Sequence, residues 1–272
     1  MKRLTDTCSR ARAAGRKLLI PYIVAGDPNL TASLALMHAL VQQGADIIEL
    51  GIPFSDPSSD GPVIQKGVER ALKAGTSLTR VLQLVADFRR DDTATPVVLM
   101  GYLNPIESMG YAAFADRAAT AGVDGVLTVD MPPAESSELH GLLRAAGLDT
   151  IFLVAPTTRP QRVRDIIEHS SGYLYYVSLK GVTGAALTEP ETIAARITEL
   201  RADTDLPIVI GFGIKDADSA AAMGRCADGV VIGSALVEGI GSLAADATPA
   251  SATLTRVTAV IGLARQALDE LE

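Results

Sequence analysis

Short apolar runs recur along this chain at intervals of roughly thirty residues, the length of a strand–helix unit. Each run is rich in Val, Ile or Leu and is flanked by Gly, Pro or Asp, as is typical of parallel strands buried on both faces. The pattern predicts eight strands, at residues 18–24, 47–51, 97–102, 125–129, 150–154, 173–178, 208–211 and 229–232.

The segments between these runs carry apolar residues at helical spacing. Residues 78–88 place their apolar positions on one stripe, and Thr76 is the predicted N-cap of that helix. The stripe at 34–41 ends before Gly44, which is predicted to terminate its helix. The other predicted helices lie at 107–121, 134–146, 160–169, 189–202, 216–224 and 253–271.

Eight strand–helix units without a linker predict an α/β protein with a single (β/α)8-barrel domain over residues 1–272. The predicted barrel has an extra N-terminal helix and a short extra helix before the C-terminal helix. A chain of 272 residues suits this fold, which typically takes about 250. A doubly wound open sheet is the alternative, because the number of strands does not establish closure.

The charge balance excludes some classes of partner. The formal net charge is −8, so neither nucleic acid nor an anionic membrane surface is an expected partner. No apolar run approaches the ~18 residues that a membrane span requires.

The first residues of the chain and its two cysteines give information on localisation. The basic first residues contain no apolar segment long enough for a signal peptide. Their arginines would also suit a transit peptide, but a strand begins at about Leu18, so a helix that caps the barrel is the simpler interpretation. Cys8 and Cys226 are far apart and match no metal or redox spacing, which favours a reducing cytoplasm. The histidines fall in separate predicted helices, and no metal site is expected.

Two connections, 52–62 and 179–189, are longer than the usual span of about 2–6 residues. Both follow carboxyl ends of predicted strands, where barrel enzymes build their active sites. Glu49 lies just before the first of them. Strand alternation turns Glu49 into the barrel if Ile48 and Leu50 face the helices. Burial would then raise its pKa and suit it to acid–base catalysis, although a structural hydrogen bond or ion pair would also explain a Glu there.

Asp60 lies in the first long connection. Asp-Gly-Pro is a common turn sequence, and a turn is the alternative interpretation. The connection is overlong, begins beside Glu49 and carries two carboxylates, Asp56 and Asp60. We therefore predict that Glu49 and Asp60 form the acid–base pair.

Glycines follow the last two predicted strands, at 211–213 and 233–234. Barrel enzymes often bind phosphate with the loops after strands 7 and 8, where glycines let backbone N–H groups approach an anion. Ser234 is predicted to cap a helix at 235–239. Residues 181–184 are predicted to form a mobile lid, with a surface loop as the alternative. Tyr175 and Met100 are placed in the barrel, where packing alone would account for both.

Together these segments resemble the tryptophan synthase alpha chain family. The similarity covers nearly the whole chain in order, and its most specific stretch is Glu-Leu-Gly-Ile-Pro-Phe-Ser-Asp-Pro at 49–57, continued by Asp-Gly-Pro at 60–62. The other matching stretches lie at 21–28, 102–105, 122–125, 181–184, 211–214 and 227–230.

The resemblance implies retro-aldol cleavage of indole-3-glycerol phosphate to indole and D-glyceraldehyde 3-phosphate, in the last steps of tryptophan biosynthesis. By this resemblance, Glu49 serves indole C3 and the side-chain hydroxyl as acid and base. Asp60 hydrogen-bonds the indole N–H. The residues implied to contact substrate are Tyr22, Met100, Tyr175 and Phe212 at the indole, Gly213, Gly233 and Ser234 at the phosphate, and Thr183 and Gly184 in the lid.

Members of the family pair with a beta chain that carries pyridoxal phosphate, in an αββα heterotetramer. The resemblance implies that Asp56, Pro57, Asp130 and Pro132 face this partner. Nothing in the chain resembles a pyridoxal phosphate site, so no cofactor is expected in it.

The chain departs from the family pattern at a few positions. Tyr22 stands where members often have Phe, and Met100 where some have Leu. Residues 178–180 read Ser-Leu-Lys where some relatives have a Ser-Arg pair, and Ser59 replaces the Ala that commonly precedes the catalytic Asp. None of these departures removes a catalytic carboxylate.

Other functions fit parts of the pattern. A phosphate-binding isomerase or epimerase would require a different set of catalytic groups, often Lys, His or a metal, and Lys180 is the only such residue close to a strand end. A catalytically weak chain that mainly activates its beta partner and a free-standing indole-releasing enzyme are the remaining alternatives.

Overall fold

Nine short parallel strands form one sheet in the computed structural model, which describes residues 2–177, 190–211, 213–245 and 248–271. The order of the strands is β5-β4-β3-β2-β1-β9-β8-β7-β6. The strands are β1 (Leu18–Val24), β2 (Ile48–Gly51), β3 (Val97–Gly101), β4 (Gly125–Thr128), β5 (Asp149–Ile151), β6 (Leu153–Val154), β7 (Leu174–Val177), β8 (Ile208–Gly211) and β9 (Gly229–Ile232).

The sheet closes at Phe152, which separates β5 from β6 within the predicted fifth strand. Ile151 pairs with Leu127 on one side of this point, and Leu153 pairs with Tyr175 on the other. The carbonyl of Phe152 accepts a hydrogen bond from the Tyr175 amide at 3.2 Å. The two ends of the strand order therefore meet, so the (β/α)8 barrel is confirmed and the open sheet is wrong.

Helices surround the barrel. Within the described residues they are α1 (Arg3–Ala13), α2 (Leu30–Gln42), α3 (Pro62–Lys73), α4 (Leu78–Phe88), α5 (Leu103–Met109), α6 (Tyr111–Ala121), α7 (Ser137–Ala145), α8 (Pro160–His169), α9 (Pro190–Asp203), α10 (Ala217–Gly224), α11 (Ser234–Ile240) and α12 (Ser251–Asp269). None of these described helices has the length and apolar character needed to cross a membrane.

Two local predictions fail for identifiable reasons. The helix predicted at 107–121 is divided into α5 and α6 by Gly110, whose φ of 84° interrupts helical geometry. Ser77, and not Thr76, occupies the N-cap position of α4. Thr76 is instead buried over Gly26, where a Cβ would lie 1.9 Å from the Thr76 hydroxyl oxygen. The predicted stop after α2 is confirmed, because Gly44 has a φ of 94°.

Apolar side chains form two layers. The outer layer lies between the strands and the helices and includes Ile48 and Leu50. The inner layer fills the barrel and includes Ile47, together with Leu4 and Cys8 of α1. The predicted extra N-terminal helix is thus confirmed, and it packs on the barrel interior at the amino-terminal end of the strands.

Candidate active site

Glu49 projects from β2 into the barrel and is fully buried. It stands in register between Tyr22 of β1 and Val98 of β3. The Tyr173 hydroxyl donates a hydrogen bond to Glu49 Oε1 at 2.5 Å. Glu49 Oε2 has no hydrogen-bond partner among the described residues. One oxygen is therefore held by the protein, while the other is enclosed without a partner among the described residues.

Burial controls the charge of this carboxyl. Removal from water raises the pKa of Glu49 to about 7, and the hydrogen bond from Tyr173 opposes the increase only in part. A group with this pKa exchanges protons readily near neutral pH, because both of its protonation states are populated there.

Asp60 lies at the end of the long connection, just before Gly61, the N-cap of α3. The Tyr102 hydroxyl donates to Asp60 Oδ2 at 3.2 Å and accepts from the Ser59 amide at 2.9 Å. Burial raises the pKa of Asp60 to about 6, and the hydrogen bond from Tyr102 lowers it. With a pKa of about 6, Asp60 is mainly ionised at neutral pH.

The sequence interpretation missed two of these tyrosines as contributors to the site. Tyr173 lies just before β7 and donates a hydrogen bond to Glu49. Tyr102 lies just after β3 and donates a hydrogen bond to Asp60. Because strand side chains alternate, Tyr173 shares the face of Tyr175, and an inward tyrosine in a barrel with an inward acid is the signal in the sequence that points to it.

Three predicted pocket residues line the interior. Tyr22 and Tyr175 are buried in the inner layer, and partly buried Met100 packs against it. Met100 stands in register with Gly51, two residues beyond Glu49. Phe212, Thr183 and Gly184, together with the predicted lid at 181–184, lie outside the described residues.

The glycines predicted to bind phosphate follow β8 and β9. Gly213 has a φ of 78°, and Gly233 precedes α11. The prediction that Ser234 caps a helix is wrong: α11 begins at Ser234, and its N-cap is Gly233, without a side-chain hydrogen bond. Amides in a first helical turn have no carbonyl partner within the helix. The backbone N–H of Ser234 is therefore free of an intrahelical bond.

A separate cavity of about 110 Å³ lies at the opposite, amino-terminal end of the strands. Arg12, Arg16, Lys17 and Asp228 contribute to its lining. It is remote from both Glu49 and Asp60. Within the described part of the chain, no group of three or more His, Cys, Asp or Glu residues is arranged to hold a metal ion.

A family model, a curated relative and a solved structure all point to the same family. Residues 8–266 match the model of the tryptophan synthase alpha chain. The tryptophan synthase alpha chain of Marinobacter nauticus is 53% identical over 100% of this chain and 99% of its own length. The structure of tryptophan synthase subunit alpha from Legionella pneumophila str. Paris superimposes with a TM-score of 0.90 at 42% identity, covering 99% of each chain.

The chain belongs to the tryptophan synthase alpha chain family. A more distant structure, that of tryptophan synthase from M. tuberculosis in an aminoacrylate-bound form, has a TM-score of 0.85 at 33% identity and covers 98% of this chain and 100% of its own. The resemblance seen in the sequence motifs is thereby confirmed over the full length of the fold.

The four residues that the tryptophan synthase alpha chain resemblance implies at a partner interface lie after β2 and β4. Asp56 and Asp130 are exposed, and Pro57 and Pro132 are half-buried. The Asp130 carboxylate accepts a hydrogen bond from the Leu103 amide at 2.8 Å. This contact ties the connection after β4 to the start of α5, at the same barrel end as Asp60.

Proposed function

We propose that this chain is the alpha subunit of tryptophan synthase and cleaves indole-3-glycerol phosphate to indole and D-glyceraldehyde 3-phosphate. The observation that carries the proposal is the pair of tyrosine-bound carboxylates, Glu49 and Asp60, at one end of a barrel in this family. The two acids have different environments, as two acids with different tasks require.

The reaction is a retro-aldol cleavage. A proton is added to indole C3, which places positive charge on the ring nitrogen. Removal of the proton from the adjacent side-chain hydroxyl then lets the C–C bond break. The bond electrons return to the indole ring, and the hydroxyl carbon becomes the aldehyde of glyceraldehyde 3-phosphate.

Glu49 is proposed as the acid and base at this centre. Its pKa of about 7 lets it give a proton to C3 and accept one from the hydroxyl in the same pH range. Asp60 is proposed to accept a hydrogen bond from the indole N–H. Because Asp60 is mainly ionised at neutral pH, its charge stabilises the positive ring nitrogen.

The remaining predicted contacts are proposed to complete the substrate site around these two acids. Gly213, Gly233 and Ser234 are proposed to bind the phosphate through backbone N–H groups and the serine hydroxyl. Tyr22, Met100 and Tyr175 are proposed to contact the indole, with Phe212. Thr183 and Gly184 are proposed to close over the substrate. Backbone donors suit an acidic protein of net charge −8, because no array of basic side chains is required.

A beta chain is the proposed protein partner, and Asp56, Pro57, Asp130 and Pro132 are the proposed contacts. Pyridoxal phosphate would belong to that partner. Asp56→Ala and Asp130→Ala should raise the concentration of beta chain needed for half-maximal acceleration of indole release. An unchanged titration would place the interface elsewhere.

The test of the lyase is indole release from indole-3-glycerol phosphate, with and without a cognate beta chain. Glu49→Gln and Asp60→Asn should each lower kcat by about 10²–10⁴-fold, the usual contribution of a positioned acid or base. Glu168→Gln, at an exposed position on α8, is the control and should retain the wild-type rate. A folded wild-type chain that releases no indole under either condition would refute the lyase and leave activation of the partner or a reaction on another phosphorylated substrate as the function.

A further inference from the structure

Tyr22 lies between the two carboxylates and the proposed phosphate site. Its hydroxyl occupies the space above Gly51, since a Cβ there would lie 2.3 Å from the hydroxyl oxygen. The near edge of its ring faces Gly233, where a Cβ would lie 3.4 Å from Tyr22 Cδ1. The ring therefore extends from the proposed phosphate site at Gly233 towards the end of β2, on which Glu49 is carried.

The Tyr22 hydroxyl differs from those of Tyr102 and Tyr173, which are bonded to Asp60 and Glu49. Although Tyr22 is only 8% exposed, its hydroxyl has no hydrogen-bond partner within the part of the chain that the structure describes. Among the described residues, the side-chain atoms that are both fully enclosed and without a partner include Glu49 Oε2 but not the Tyr22 hydroxyl. The hydroxyl is therefore not fully enclosed.

The surroundings keep this hydroxyl protonated. Burial, followed by the negative charges of Asp60 and Glu49, raises the pKa of Tyr22 well above its ordinary value. A protonated phenol is a hydrogen-bond donor. An unpaired donor in a buried ring is unfavourable unless water or a ligand accepts its hydrogen bond.

We propose that the Tyr22 hydroxyl donates a hydrogen bond to a hydroxyl of the substrate's glycerol chain, and that Tyr22 thereby selects substrates with a hydroxylated chain. This rests on the proposed lyase function. The glycerol chain joins the phosphate to indole C3. With the phosphate at Gly233 and C3 at Glu49, the chain must pass along the ring of Tyr22, whose hydroxyl lies near the reacting end.

The proposal is tested by comparing two ligands. Indole-3-propanol phosphate keeps the indole and the phosphate of the substrate but lacks both chain hydroxyls. In a Glu49→Gln background, which should slow turnover by about 10²–10⁴-fold, calorimetry measures the affinity of each ligand with and without Tyr22→Phe. Loss of one hydrogen bond should weaken indole-3-glycerol phosphate about 3- to 10-fold. Binding of the propanol analogue should change by less than about twofold, because it has no chain hydroxyl to accept a hydrogen bond from Tyr22.

Tyr176→Phe is the matched control. Tyr176 is buried in the outer layer, away from the barrel interior, and its change should alter neither affinity. Equal weakening of both ligands by Tyr22→Phe would assign the effect to ring packing and overturn the proposal, as would no change for either. A Glu49→Gln protein that binds the substrate with an affinity that Tyr22→Phe leaves unchanged would overturn the role of Tyr22 alone. A folded Glu49→Gln protein that does not bind the substrate would refute the lyase proposal as well.

Discussion

Each carboxylate at the barrel mouth is bonded to one tyrosine hydroxyl, Tyr173 to Glu49 and Tyr102 to Asp60. Burial raises the pKa of Tyr102 to about 12 and that of Tyr173 well above its ordinary value, so both phenols remain donors. A donor stabilises the ionised acid and lowers its pKa, whereas burial raises it. The balance between these effects sets the protonation of the site, and single substitutions should shift it in predictable directions.

Tyr173→Phe should raise the pKa of Glu49 above its value of about 7, because the ionised carboxylate loses its donor. A hydrogen bond to a charged group is worth about 1.5–3 kcal/mol, which corresponds to a rise of about one pH unit or more. The measurement is the pH dependence of kcat/KM for indole release, in which the limb due to Glu49 should move to higher pH. Tyr176→Phe, in the outer layer and away from Glu49, should leave the profile in place. A limb that stays at its wild-type pH in Tyr173→Phe would contradict this account.

Glu49 should also make stability depend on pH. Its pKa rises from 4.5 to about 7 on folding, so the folded state binds more protons than the unfolded state between these values. The free energy of unfolding should therefore fall as pH rises through this interval, relative to Glu49→Gln, which does not ionise. Between pH 4.5 and pH 8, the free energy of unfolding of the wild type should fall by about 3 kcal/mol relative to that of Glu49→Gln. Urea unfolding at several pH values measures it, and a constant difference would show that burial does not perturb this acid.

At the scale of elements, α3 lies between the connection that carries Asp60 and α11, the helix of the proposed phosphate site. Gly67 of α3 approaches α11 so closely that a Cβ would lie 2.8 Å from Val237 Cγ1. One turn later, Arg70 donates two hydrogen bonds of 2.7 Å to the buried carboxylate of Asp27, at the end of β1. The helix that begins after Asp60 is thereby fixed to both β1 and α11.

Two helical glycines should respond in opposite directions to alanine. Gly67→Ala should destabilise the protein by about 1–3 kcal/mol, because the added methyl overpacks the contact with Val237. Gly141→Ala, in the exposed part of α7 with nothing within 4 Å of the added carbon, should stabilise it by up to about 1 kcal/mol through helix propensity. Chemical denaturation measures both. Equal effects would show that helix propensity, and not close packing, governs position 67.

At the scale of the whole molecule, α1 packs on the amino-terminal end of the barrel. Leu4 is 1% exposed, and its side chain lies against Gly125 at the start of β4 and Gly172 before β7. Arg3 binds the Asp124 carboxylate at 2.8 Å. The helix therefore joins strands from different parts of the sheet.

Leu4→Ala should cost about 2–5 kcal/mol of unfolding free energy, the range for a fully buried leucine whose removal leaves a cavity. The control is Leu263→Ala on α12, which is 56% exposed and should change stability by less than about 0.5 kcal/mol. Urea unfolding of both variants gives the comparison. A small loss for Leu4→Ala would indicate that α1 contributes little to closing the barrel.

The sequence by itself determined the features that depend on neighbouring residues. Apolar runs gave β1, β8 and β9 with the boundaries observed, and strand alternation turned Glu49 inward. The stop at Gly44 followed from the freedom of glycine at positive φ. These are local properties, because the period of a strand and the conformation of a turn are set within a few residues.

Only the tertiary structure decided which distant groups meet. Tyr173 and Glu49 are 124 positions apart, and their hydrogen bond exists because the sheet closes and brings β7 and β2 around a common interior. Closure itself occurs at Phe152, within a run that the sequence shows as one strand. Thr76 matched the pattern of a cap, but Ser77 holds the N-cap position and Thr76 is buried against Gly26, a contact between distant positions that the local pattern does not show. Periodicity specifies the direction in which a side chain points, whereas its partner depends on the curvature of the whole sheet.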